Sequence, residues 1–391
     1  MLNRITSNHL CLGCGLCSSV CPSITMDETS KGFYSPTVQG QLSKEDNALI
    51  RKICPAITIQ NSQQKGDWGT MLESYDAWST NADIRFHAAS GGAVTSIALF
   101  LLENHIVDAV MQVGQNEKDY LHNSMKISRS SQEIINNGQS RYAPCKTLEH
   151  LQQTLSTTQD RFAFIGKPCD ISGVKNFLSV FPQYTERFVC FISIFCAAMP
   201  SYNASIKAWK SSGKVFPPET LSYRGDGWPG KFCATWADGS QHTLSYDDSW
   251  GKILGRDVAF RCKICPDGIG LSADISVGDA WRLANRTPDF TEQPGHSVVF
   301  ARTEIGQHIV QEAIKHHYID TEKFDIDTLK YRQPYQYIRR KQVGWRLLPV
   351  QIKTGWLMHF KGLQIREMAL RANPVMACQM FFGMIKRTTR I

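Results

Sequence analysis

The sequence predicts a mixed α/β fold with a small cysteine-rich domain in front of it and a basic helical extension behind it. Three observations predict this. Closely spaced cysteines and turn residues fill the first 60 positions, strand-like and helix-like apolar patterns alternate through the middle, and the charge changes abruptly near residue 339. The corresponding boundaries are residues 1–62, 63–330 and 331–391, with the polar stretch NSQQKGD at 61–67 as the first linker.

The first domain is read from CLGCGLCSSVCP at 11–22. This is C-x2-C-x2-C-x3-C-P, the run that holds a bacterial-type [4Fe-4S] cluster and marks a ferredoxin-like module. In a two-cluster module the fourth cysteine of each run ligates the other cluster, and only one run is present here. Cys11, Cys14 and Cys17 can wrap one cluster, and a fourth thiolate must come from farther away. Cys54, followed by Pro55, is what remains if a second run loses its triplet, so ferredoxin geometry favours Cys54. Cys21 is then a leftover or a substitute ligand elsewhere. A four-cysteine zinc site also uses C-x2-C, but it does not explain three evenly spaced cysteines followed by C-P.

The middle domain opens with SGGAVTSIALFLLENH (90–105), a glycine turn entering an apolar helix, and IVDAVMQVG (106–114), a strand. RFAFIGK (161–167) and RFVCFISIFC (187–196) read as buried strands, and residues 221–248 alternate around Gly, Asp and Pro as hairpins do. ADISVGDAW (273–281) adds a strand, and residues 297–317 add a strand and a helix. Cys169 and Cys196 fall at the carboxyl ends of strands, where open α/β sheets hold cofactors. With Cys262 and Cys265 of RCKIC they make a second candidate set of four. Cys145, Cys190, Cys233 and Cys378 are expected to be structural.

The segments ASGGAVT (89–95), SRYAP (140–144), FIGKPCD (164–170), FC (195–196), RCKIC (261–265) and ADISVGD (273–279) together resemble the coenzyme F420 hydrogenase/dehydrogenase beta-subunit family. The resemblance spans about residues 8 to 320 and implies FAD beside a [4Fe-4S] cluster held by Cys169, Cys196, Cys262 and Cys265. With the amino-terminal module, the expected complement is two [4Fe-4S] clusters and FAD. The resemblance also implies a homo-oligomer. It places the FAD pyrophosphate near Ser90, Gly91, Gly92 and Thr95, at a helix amino terminus whose free N–H groups favour anions. Arg141 would stabilise the reduced flavin, Tyr142 would donate a proton, and His87 is a further proton-donor candidate. Asp274, Gly278 and Asp279 are expected beside the cofactor, although Asp274 equally suits a purely structural role in binding backbone donors.

These expectations describe a reductase that takes low-potential electrons from ferredoxin and passes them through two clusters to FAD and an organic substrate. The competing readings are an F420-dependent oxidoreductase, an electron-transfer subunit of a larger complex, and a zinc-bearing binding protein. Between residues 339 and 391 eleven basic side chains face one acid, Glu367, so this segment carries +10 and the remainder about −2 of the overall +8. With its interleaved Trp and Phe the segment reads either as an amphipathic helix packed on the body or as one lying at a membrane surface. No nucleic-acid motif accompanies the charge. Basic extensions of this kind resemble those of relatives in bacterial surface-polysaccharide functions, which implies a glycan or lipid-linked substrate. No secretory leader and no run of 18 apolar residues is apparent in the sequence, so a cytoplasmic protein is expected, peripheral at the inner membrane face if the extension binds lipid.

Overall fold

The computed structural model describes residues 1–117 and 119–389. Its centre is an eight-stranded sheet. In chain order the strands are β1 (Glu73–Ser79), β2 (Ala109–Gln115), β3 (Asn123–Ser128), β4 (Phe162–Gly166), β5 (Phe188–Ile194), β6 (Ile275–Asp279), β7 (Ser297–Ala301) and β8 (Ile319–Lys323). Their spatial order is β8-β1-β7-β6-β5-β4-β2-β3. The inner four, β6, β5, β4 and β2, run parallel, and the flanking pairs are antiparallel. Strands covered on both faces need apolar residues at every position, which is why FAFIG forms β4 with all five residues buried. The predicted α/β class is therefore present, with the expected strands at their expected places.

Helix α1 (Ala93–Glu103) covers one face of the sheet, where Ile97 and Leu101 pack with Ile165, Ile192 and Val299. Helix α2 (Pro168–Val180) covers the other, with Ile171 and Phe177 against Phe162 and Phe164. That second core also takes in Leu16 and Ile53 of the cysteine-rich module, so the module is built onto the sheet. A three-stranded antiparallel sheet, Thr220–Ser222, Phe232–Thr235 and Gln241–Leu244, forms from the segment read as hairpins.

One connection differs from what sequence polarity implies. The stretch 61–67 is packed: Gln64 is buried, and its N–H donates to the Gly362 carbonyl. The basic extension is packed as well. Helices α3 (Pro334–Thr354) and α4 (Pro374–Thr388) bury Val343, Leu347, Val350 and Met384 in one core with Leu2, Ile5, Ile57 and Ile264. His359–Phe360 pairs in parallel with Thr58–Ile59. Among the described residues no helix is long and apolar enough to cross a membrane.

A histidine joins the module to the body. His122 Nε2 meets Glu28 Oε2 at 2.8 Å, and its Nδ1 meets the Asp119 carboxylate. Burial alone would lower its pKa, but hydrogen bonds to Glu28 and Asp119 outweigh this and raise it above 6.5. A raised folded-state value means that the linkage stabilises fully below the unfolded value of about 6.5 and is lost as pH climbs through the folded one. Thermal stability is therefore expected to fall as pH rises above about 6.5, and His122→Gln should flatten that part of the profile.

Candidate redox centre

The amino-terminal thiols converge on a small cavity of about 20 Å³ lined by Cys11, Cys14, Cys17 and Cys54. Cys54 arrives there as the C-cap of the helix Lys44–Ile53, whose amino end is fixed by a reciprocal Ser43–Asp46 capping box. Gly13 donates its N–H to Cys11 Sγ at 3.3 Å. Burial pushes up the thiol pKa values of Cys11, Cys14 and Cys17, and the neighbouring Cys54 adds to each. Four such sulfurs can ionise together only around cations, so this donor set fits an iron–sulfur cluster. Cys21 is buried outside this cavity, with its thiol 3.6 Å from Asp46 Oδ1.

A second set lies at the amino-terminal end of α2. Cys169 sits in the first turn of that helix, Cys196 follows the end of β5, and Cys262 and Cys265 flank the end of a short helix, Phe260–Lys263. Burial raises Cys169, Cys196 and Cys262. Each also feels neighbours of the set: Cys169 feels Cys196 and Cys265, Cys196 feels Cys262 and Cys265, and Cys262 feels Cys265. Helix α2 ties the two sets together. A Cβ on Gly173 would meet Pro55 Cγ at 3.3 Å, and Asn176 Nδ2 donates to the carbonyls of Ile53 at 3.2 Å and Thr58 at 2.8 Å.

Cys196 also lines the main cavity, of about 270 Å³, at the carboxyl ends of β4, β5 and β6. Ser90, Gly92, Thr95, Arg141, Tyr142, Gly278 and Asp279 line it too. Gly92 has φ +77° at the start of α1, and no side chain caps that helix end. A Cβ on Gly91 would come within 2.7 Å of the Ala77 carbonyl oxygen. The result is an open helix amino terminus with free N–H groups and no side chain over it, a cradle that fits a phosphate.

Three residues expected at the cofactor hold other partners. Asp274 Oδ2 accepts from Phe191 N at 2.8 Å and Oδ1 from Thr303 Oγ1 at 2.9 Å, so it joins β5, β6 and the following helix. His87 lies on the exposed surface, its Nδ1 2.6 Å from Asp226 Oδ1. Arg141 spends its guanidinium on Asn123 Oδ1 at 2.7 Å and the Leu221 carbonyl at 2.6 Å, over the ring of Tyr223. Two further cations stand at the cavity beside Arg141: Lys167, 2.6 Å from Asp170, and Arg224. Arg224 grips Asp279 in a bidentate pair at 3.0 Å and 3.0 Å and donates to Tyr142 Oη at 3.3 Å. Asp279 is further held by Trp228 Nε1 at 2.9 Å. Lys167 lay within the FIGKPCD motif, whereas nothing local in the hairpin sequence singled out Arg224.

Comparison with known families agrees with this architecture. The amino-terminal part of the coenzyme F420 hydrogenase/dehydrogenase beta subunit matches residues 74–152, and its carboxyl-terminal part matches residues 159–327. The chain belongs to this family. Its membership places it among oxidoreductases. The coenzyme F420-dependent sulfite reductase of Methanocaldococcus jannaschii is 23% identical over 326 residues, 79% of this chain, but the chain spans only 46% of that protein's length. The coenzyme F420 hydrogenase subunit beta of Methanosarcina barkeri is 24% identical over 256 residues, 63% of this chain and 80% of that subunit. A chain of the F420-reducing [NiFe] hydrogenase complex of Methanosarcina barkeri has the same fold, with a TM-score of 0.56 at 19% identity over 72% of this chain and 94% of that one. The two matched family segments contain the inner cysteines and the cavity lining apart from Gln333 and Gln336, while Cys11, Cys14, Cys17, Cys54 and helices α3 and α4 lie outside them.

Proposed function

We propose that this beta-subunit relative moves single electrons from a ferredoxin through two [4Fe-4S] clusters to FAD and reduces an organic substrate. Cys11, Cys14, Cys17 and Cys54 would hold the outer cluster, and Cys169, Cys196, Cys262 and Cys265 the inner one. The observation that carries the reading is the placement of Cys196, which belongs to the inner set and also lines the main cavity. When bound, FAD supplies the exchange between one-electron and two-electron chemistry. The chain's own residues bind and orient. The open start of α1 receives the pyrophosphate, Lys167 supplies positive charge, and the Arg224–Asp279 pair fixes the hydroxyl of Tyr142, the candidate proton donor. Tyr246, Trp250 and Trp281 give the cavity aromatic walls that suit the flat face of a ring-bearing substrate. A surface-polysaccharide precursor is the substrate class to test first. Contact with a membrane surface and assembly into a homo-oligomer belong to the same proposal.

The test is anaerobic reduction. Protein holding about eight irons per chain and flavin is expected to bleach in the flavin band on mixing with reduced ferredoxin. Bleaching by reduced F420 alone would overturn the donor assignment, and protein without iron or flavin would overturn the whole reading.

A further inference from the structure

Two arginines lie buried at the cysteine sets without a carboxylate partner. Arg339, on α3, is 6% exposed and donates from Nη1 to the carbonyls of Cys196 at 2.9 Å and Ala197 at 2.8 Å, and from Nη2 to the carbonyl of Cys262 at 3.2 Å. Gly268 leaves room for it: a Cβ there would lie 3.0 Å from Arg339 Nη1. Arg261 is 1% exposed and stands between the sets. Its Nε donates to the Ala56 carbonyl, two residues after Cys54, at 2.8 Å, and the next residue is Cys262. Among the described residues neither guanidinium pairs with an acid. The nearby Asp170 is taken by Lys167, and the Asp267 carboxylate accepts the N–H groups of Ile269, Gly270 and Leu271. A guanidinium cannot shed its proton in a protein, and a buried charge requires an opposite one. The anion available is the thiolate-ligated cluster itself.

We infer that Arg339 is a positioning residue whose fixed positive charge raises the reduction potential of the inner cluster above that of the outer one, so that electrons run inward toward the cavity. The inner set meets Arg339, Arg261 and the Lys167–Asp170 pair, whose charges offset each other, whereas among the described residues the outer set meets Arg261 alone. When one electron passes, the outer site is oxidised, the inner site is reduced, and no bond is made or broken. The added negative charge arrives beside Arg339. This inference rests on the proposed cluster ligation. It adds a residue from outside the matched family segments, which end at residue 327.

The test is an anaerobic redox titration of the full chain followed by electron paramagnetic resonance, with the two signals told apart by the loss of the outer one in Cys54→Ala. Arg339→Gln should lower the inner midpoint by about 59 mV or more, a tenfold change in a one-electron equilibrium, and leave the outer midpoint in place. Arg339→Lys, which keeps the charge, should hold the inner midpoint near its original value, and the exposed Lys386→Gln should shift neither. If Arg339→Gln assembles no inner cluster, the lysine variant decides: an inner signal at the original potential supports the inference, and its absence overturns it. Unchanged midpoints in Arg339→Gln, or equal shifts in the glutamine and lysine variants, overturn the inference while leaving the two-cluster reading intact. Unsubstituted protein with no inner signal would defeat both.

Discussion

Cys54→Ala is expected to halve the iron content, from about eight to about four per chain, and to abolish the outer cluster's magnetic resonance signal, while Cys21→Ala keeps both. The geometry separates these thiols although the sequence presents both before a proline. Cys54 ends a capped helix with its N–H on the Ile50 carbonyl at 3.0 Å, and its side chain faces the same cavity as Cys11, Cys14 and Cys17. Cys21 faces Asp46 instead. Burial and that carboxylate push its pKa up to about 11. What separates it from the ligand set is position: its thiol lies 3.6 Å from Asp46 Oδ1 and lines no part of the cavity that Cys11, Cys14, Cys17 and Cys54 share. Asp46 cannot easily turn away, since Oδ2 already accepts from the Ser43 N–H at 3.1 Å and the Ser43 hydroxyl at 2.9 Å. Iron loss in Cys21→Ala with retention in Cys54→Ala would reverse the assignment. Metal analysis and low-temperature spectra of both variants decide it.

What could be read beforehand follows the range of the interactions. Cysteine spacing is local, so Cys11, Cys14 and Cys17 announce themselves, and the continuous apolar runs of β4 and β5 do the same for the sheet. The Ser90–Gly92 turn is also local, and it does open α1 at the cavity. The polar network around the cavity is not local. Arg141 had the right residue type at the right motif position, but Asn123 and the Leu221 carbonyl claim it, 18 and 80 residues away in sequence. Arg224 reaches Asp279 across 55 residues, Arg339 reaches the Cys196 carbonyl across 143, and Arg261 reaches the Ala56 carbonyl across 205. No periodicity encodes such pairs. Charge counting misleads for a related reason: a run of basic residues suggests exposed side chains, yet Arg339 and Arg340 are both buried with no carboxylate partner among the described residues, which is rare for arginine.

That burial gives the second large effect. Truncation near residue 335 is expected to yield no folded body, in contrast to what a dispensable basic tail would allow. The cut removes Val343, Leu347, Val350, Leu357, Met358 and Met384, all at most 5% exposed, and uncovers Leu2, Ile5, Leu10, Ile57 and Ile264, which pack against them. At about 1.5–3 kcal/mol for each large apolar side chain returned to water, the uncovered five alone cost on the order of 10 kcal/mol, comparable to the whole stability of about 5–15 kcal/mol of a typical domain. The cut also strips the strand that pairs with Thr58–Ile59, just beyond Cys54, and the guanidinium at the inner cysteines. Expression of residues 1–335 should therefore give aggregated protein with little bound iron, measured by sedimentation and metal content. A soluble truncated chain with both clusters would show that the extension is peripheral after all. A membrane role for the extension has to be examined with the fold left whole, by polar substitution of the outward-facing Val375 and Phe382 on α4, which are 66% and 64% exposed. In liposome flotation of that intact variant, a loss of vesicle binding would come from the surface alone.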